Sequence, residues 1–152
     1  MWRNPAASLP AVRLRAAGDR DQATIRRIVR AAGINPTSLE WPRFIVAEEA
    51  GEVVGVGQVK PHRDGTRELA SIAVIPKRQG QGIGSAIINE LIEREHDAVL
   101  HLTCRSKLQG YYERFGFQTL ERREYPVYFA RRLPILNALL RPFGIRIIVM
   151  RR

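Results

Sequence analysis

Between an apolar run, Ile72-Ala73-Val74, and a stretch of helical period lies Gln79-Gly80-Gln81-Gly82-Ile83-Gly84-Ser85. Glycines let a backbone approach an anion with no Cβ in the way, and the free amides at a helix N-terminus point toward it. The segment is a candidate phosphate cradle. Glycine also serves tight strand-to-helix turns, but three at alternate positions exceed that need. Two common nucleotide motifs fail here. A Walker P-loop ends Gly-Lys-Ser/Thr, and Gly84-Ser85-Ala86 carries no lysine. A dinucleotide fingerprint wants Gly-x-Gly-x-x-Gly and an acid about twenty residues on, whereas these glycines alternate strictly and the next strand ends at Cys104-Arg105. Cys104 and His101 sit on that strand, and nothing in the sequence activates the thiol as a nucleophile.

The elements that must position the cradle follow from hydrophobic period. Val12 to Arg15 reads as a short strand. A helix follows, with Asp19 and Gln22 spaced as a capping box, Ile25, Ile28, Val29 and Ala32 on one face, and Gly33 as the stop. The stretch between Pro36 and Pro42 reads as loop or a turn of helix. Phe44 to Glu49 and Glu52 to Val59 form a hairpin across Ala50-Gly51, and Glu68 to Val74 completes an antiparallel meander. Ile83, Ile87, Ile88, Leu91 and Ile92 then mark a crossover helix, so the strand from Ala98 to Cys104 should lie parallel to Glu68–Val74. A helix with Leu108, Tyr111, Tyr112 and Phe115 ends at Gly116. A strand from Phe117 to about Glu124, a short helix within Leu133 to Arg141 and a terminal strand from Ile145 to Arg152 close the chain.

The 152 residues suit one domain, with residues 1–11 as a loose arm and 123–144 as an excursion between the last two strands. A hydrophobic content of 45% argues against disorder. One cysteine rules out an intrachain disulfide framework and a multi-cysteine metal site, and suits a reducing compartment, so a cytoplasmic location is expected. The most apolar stretch, Leu133 to Met150, is broken by Arg141, Pro142 and Arg146, so no membrane span is expected. The net charge of +10 is concentrated at the C-terminal end, where residues 121–152 hold eight arginines against Glu121 and Glu124. Such a patch fits nucleic acid, anionic lipid, an acidic protein or plain solvent.

The cradle has the form Q/R-x-x-G-x-G/A, and with the strand Glu68 to Val74 and the Tyr112-Glu113-Arg114-Phe115-Gly116-Phe117 segment, which looks like a Tyr-x-x-x-Gly-Phe ending, the chain resembles the GNAT acetyltransferase superfamily. The likeness covers about Val12 to Phe117, with Ile145 to Arg152 as its last strand. It implies an α/β (α+β) fold: a mixed, mostly antiparallel sheet of about six or seven strands, splayed parallel central strands and about four flanking helices. It also implies acetyl-CoA as cosubstrate, no metal, and a small-molecule or peptide amine as acceptor.

By the same resemblance, the pantetheine arm would bond the backbone of Ile72 and Val74, and Gln79, Gly80, Gly82, Gly84 and Ser85 would take the pyrophosphate. Lys77 and Arg78 could add charge. Direct attack by an amine needs the free base, and an amine of pKa about 10.4 is only about one part in a few thousand deprotonated at neutral pH. Glu68 matches the position where several family members carry a catalytic glutamate, with a water relay, as in other members, as the alternative. Tyr112 matches the general-acid tyrosine that protonates the leaving sulfur, although it also lies on the apolar stripe of its helix. Tyr111 reads as packing. Arg105 stands where many members carry a cofactor-contacting asparagine. A different class of function, a catalytically silent basic module for RNA, ribosome or acidic protein, is motivated by the C-terminal arginines.

Overall fold

The computed structural model describes residues 11–152, so the expected N-terminal arm, apart from its last residue, lies outside the described residues. Strand β1 (Arg13–Ala16) leads through a 3-10 turn at Asp19–Asp21 into helix α1 (Gln22–Ala31). The reciprocal cap expected at Asp19 and Gln22 is displaced by one residue. The Gly18 N–H donates to Asp21 Oδ2 at 2.8 Å, because Asp21 is drawn inward by Arg15 Nη1 at 2.7 Å. Gln22 is used elsewhere: its amide donates to the Leu39 carbonyl at 2.6 Å and accepts the Trp41 N–H at 2.9 Å, which pins the loop after α1.

Strands β2 (Phe44–Glu49) and β3 (Glu52–Pro61) form the expected hairpin. Ala50 and Gly51 both have positive φ, at +50° and +82°, the twist that a two-residue hairpin turn requires. Strand β4 (Arg67–Val74) follows. Helix α2 (Ile83–Arg94) crosses to β5 (Leu100–Arg105), and a 3-10 turn at Ser106–Leu108 shortens α3 to Gln109–Glu113. The strand expected from Phe117 to about Glu124 is only β6 (Gln118–Thr119), since Glu124 folds back to accept the Glu121 N–H at 2.8 Å. The excursion holds a longer helix than expected, α4 (Val127–Leu140), before β7 (Ile147–Arg151). It starts at Pro126, where a missing N–H does no harm, and Asn137 fastens its end by a two-way amide contact with the Ile147 backbone at 2.8 and 3.0 Å.

The seven strands run in the order β1-β2-β3-β4-β5-β7-β6, antiparallel except for β4 and β5. This is the mixed, mostly antiparallel sheet with a parallel central pair and four helices that the sequence implied. One face is covered by α2 and α3 around Ile87, Ile88, Leu102 and Phe117. The other face is covered at two separate places: α1 packs on Phe44, Val46 and Val56, and α4 packs Phe129 and Leu133 on Val149. Between those two patches lies a polar strip of sheet. Among the described residues no helix is long and apolar enough to cross a membrane.

Candidate functional site

The site begins with a bulge. Leu69 and Ile72 pack into the same core although three residues apart, an odd spacing that a regular strand cannot give. The register between β3 and β4 slips there, and Ser71 carries φ +57°, so one extra residue bends β4. Gln58, fully buried on β3, holds the bulge by donating to Ser71 Oγ and to the Ser38 carbonyl, both at 2.9 Å. Past the first two pairs, Arg67 with Leu100 and Glu68 with His101, β4 and β5 part company. From Leu69 to Val74 the β5-facing edge of β4 has no strand partner among the described residues, and this is the expected splay, with Ile72 and Val74 along it.

The glycine cradle closes the end of that slot. Gly80 and Gly82 have φ of +74° and +82°, and a Cβ built on either would meet nothing within 4 Å. Glycine is therefore required by backbone conformation and leaves the space above the turn open, as an anion site needs. Gly82 caps α2, so the first-turn amides beyond it have no helical acceptor. A pocket of about 200 Å³ is lined by Val74, Gly80, Gly82, Gly84 and Ser85, with Tyr111 as a wall. Gln79 turns its side chain inward and donates to the Val74 carbonyl at 3.0 Å, acting as a strut between slot and turn. Arg78 is tied to Glu49 at 2.6 Å, whereas Lys77 faces an adjoining cleft of about 1020 Å³ between α1 and the end of β4, together with Arg20 and Arg27.

Of the two adjacent tyrosines on α3, Tyr111 lines this pocket and Tyr112 does not. The Tyr111 hydroxyl lies 3.2 Å from Ser85 Oγ, which joins α3 to the N-terminus of α2. Tyr111 was expected only to pack; its partner Ser85 is 26 residues away in sequence, so no local signal marked the contact. Tyr112 packs edge-on against Tyr111 and Phe117, with ring centroids 5.1 and 6.3 Å away. Burial pushes its phenol up to about 12, with the neighbouring Cys104 and Tyr111 adding to the shift. Cys104 is buried beside Met150 Sδ at 3.9 Å, and burial raises its thiol to about 11, which keeps it protonated and unreactive.

Glu68 stands at the other end of the slot, on the polar strip. Its Oε2 lies 2.6 Å from His62 Nε2, a partner that the sequence reading missed. The signal was strand alternation: His62, just past the end of β3, continues the spacing of Gln58 and Lys60. The His62 ring stacks on Tyr128 at 3.5 Å, and Arg132 sits 4.0 Å over the Tyr128 ring, so α4 forms one wall above Glu68. Asp64 completes the attachment by accepting the Tyr128 N–H at 2.8 Å. Next to Glu68 in register are Lys60 on β3 and His101 on β5. The structure thus brings Glu68, Ile72, Val74 and the cradle onto one strand and its outlet, with Tyr112 on α3. Arg105 is exposed at the end of β5.

Comparisons with known proteins agree with this architecture. The sequence pattern described as the acetyltransferase (GNAT) domain matches residues 40–119, just over half of the chain. The chain belongs to the GNAT acetyltransferase family. No curated protein sequence matches it. Among solved structures, it is similar to Rv2747 from Mycobacterium tuberculosis, solved in complex with CoA and NLQ, at 24% identity over 91% of this chain and 97% of that one, with a TM-score of 0.69. The ribosomal-protein-S18-alanine N-acetyltransferase from Escherichia coli is 22% identical over 93% and 92%, with a TM-score of 0.65. The N-acetylglutamate synthase from Neisseria gonorrhoeae, complexed with coenzyme A and N-acetyl-glutamate, is 21% identical, with a TM-score of 0.69. That match covers 93% of this chain but 35% of the synthase, so the chain spans about a third of its length. At these identities the likenesses bear on the fold.

Proposed function

We propose that this protein is an N-acetyltransferase that moves an acetyl group from acetyl-CoA to a primary amine by direct attack. The observation that carries the reading is the slot beside β4, opened by the Ser71 bulge and ending at a glycine turn with open space above Gly80 and Gly82. A long ligand with an anionic middle fits such a slot. The backbone of Ile72 and Val74 would hold its arm, and the turn from Gln79 to Ser85 would hold its pyrophosphate.

Glu68 takes the proton from the acceptor amine. Its Oε1 is left for the amine while Oε2 is held by His62, which fixes the carboxylate and offers the proton a way onward. Tyr112 supplies a proton to the departing sulfur. Burial holds the Tyr112 pKa up, so the phenol is protonated beforehand and has a proton to give. The test is CoA release from acetyl-CoA in the presence of a panel of primary amines. Amine-dependent release supports the reading, and release at the rate of thioester hydrolysis with every amine contradicts it.

A further inference from the structure

On the polar strip between α1 and α4, two buried atoms lack hydrogen-bond partners among the described residues, and a lysine stands beside them. The Gln58 Oε1 atom is buried with no hydrogen bond; the amide cannot be flipped to satisfy it, because its nitrogen already donates to two oxygens. His101 Nδ1 is likewise buried and unpartnered. Lys60 is only 7% exposed, and among the described residues no hydrogen bond or ion pair engages its ammonium. Burial lowers its pKa, with Glu68 opposing the shift. The stem is enclosed while the ammonium tip is left able to receive an anion, and the cross-strand neighbour Glu68 is already engaged by His62.

Lys60 and Glu68 are directly opposed across an antiparallel pair, so their side chains leave the same face about 5 Å apart. A single ligand can meet both if it carries a negative and a positive group a few atoms apart. The arrangement is then ammonium of Lys60, carboxylate of the ligand, amine of the ligand, carboxylate of Glu68, with every neighbouring charge opposite in sign. We infer that the acceptor is a free amino acid, its carboxylate held by Lys60 and its amine presented to Glu68. This inference rests on the acetyltransferase reading above and narrows it. A peptide or protein N-terminus, whose nearest carbonyl is an amide, would leave Lys60 unpaired.

The test uses the full-length protein with the twenty free amino acids and their carboxamides, followed by CoA release and, separately, by calorimetric binding to the protein saturated with CoA. For the wild type, at least one free acid should be acetylated and bound with roughly 10- to 100-fold advantage over its carboxamide. Lys60→Met should erase that advantage by weakening the acid alone, and Lys60→Arg should restore part of it. Thermal unfolding checks that each variant is folded. Should Lys60→Met not fold, the wild-type ratio of acid to carboxamide still decides the matter. Acetylation confined to carboxamides or other carboxylate-free amines, or equal weakening of acid and carboxamide in Lys60→Met, overturns this inference and leaves the acetyltransferase reading standing. Failure of wild-type protein to bind acetyl-CoA at all overturns both.

Discussion

His62 Nε2 and Glu68 Oε2 meet at 2.6 Å beneath the first turn of α4, with the His62 ring stacked on Tyr128 at 3.5 Å. The carboxylate is therefore held by a side chain six residues earlier across the β3–β4 turn, and that side chain is held by a helix near the other end of the sequence. If Glu68 is the base, Glu68→Gln lowers kcat by about 10²- to 10⁴-fold while acetyl-CoA affinity is kept. His62→Ala lowers kcat less, because the carboxylate remains. Steady-state rates beside calorimetric binding separate the two effects. Unchanged turnover in Glu68→Gln would remove it from the chemistry.

The two adjacent tyrosines should respond differently. Tyr112→Phe removes the proton donor and is expected to reduce kcat by roughly 10²-fold or more, with little change in binding. Tyr111→Phe removes only the 3.2 Å contact to Ser85, so its effect should be a loss of cofactor affinity of about 0.5–1.5 kcal/mol, with kcat retained. The reverse pattern would exchange their roles.

Close packing of α2 on the sheet depends on Gly57. A Cβ there would lie 2.5 Å from Ile87 Cγ2 and 2.8 Å from Ile72 Cδ1, and Ile87 is a β-branched residue with little freedom to move. Gly57→Ala should destabilise the protein by about 1–3 kcal/mol through overpacking, measured by denaturant unfolding. A stability equal to wild type would show that α2 can retreat without loss.

Asp64 links α4 to the β3–β4 turn. The Thr66 backbone N–H, with the Thr66 hydroxyl and the Tyr128 N–H adding, lowers its carboxyl from 3.8 to about 2. A depressed acid stabilises the folded state above its unfolded pKa, and that contribution is lost as pH falls through the folded value. Wild type should therefore exceed Asp64→Ala in stability near neutral pH, with the difference shrinking between about pH 4 and pH 2. Urea unfolding at a series of pH values reads this directly, and a pH-independent difference would contradict it.

Much of this arrangement was legible in the sequence because its signals are local. The glycines of the cradle, the periods of α1 and α2 and the Ala50-Gly51 hairpin each depend on residues a few positions apart. The misses were long-range or competitive. Asp21 replaced Asp19 in the cap because Arg15 attracts it from β1. The short β6 and long α4 reflect a helix held by Asp64 and His62, residues over sixty positions away from it in sequence. His62 lies only six residues before Glu68, but their contact depends on how the turn after β3 brings the two strands into register. Lys60 reads as an ordinary alternating polar residue until the sheet shows its stem buried opposite Glu68. The C-terminal arginines divide likewise: Arg132 lies over Tyr128 and Arg152 donates to the Phe115 carbonyl at 2.8 Å, so part of that charge belongs to the fold.

The central claim is that the turn from Gln79 to Ser85 holds the pyrophosphate of acetyl-CoA, and titration calorimetry of acetyl-CoA into wild-type and Gly82→Glu protein tests it most directly. The variant places a carboxylate and a strained positive φ where the anion would sit. Saturable binding by wild type and loss of roughly 100-fold or more in affinity in the folded variant is the result expected. Equal affinity in a folded Gly82→Glu protein, or no binding by wild type, would contradict it.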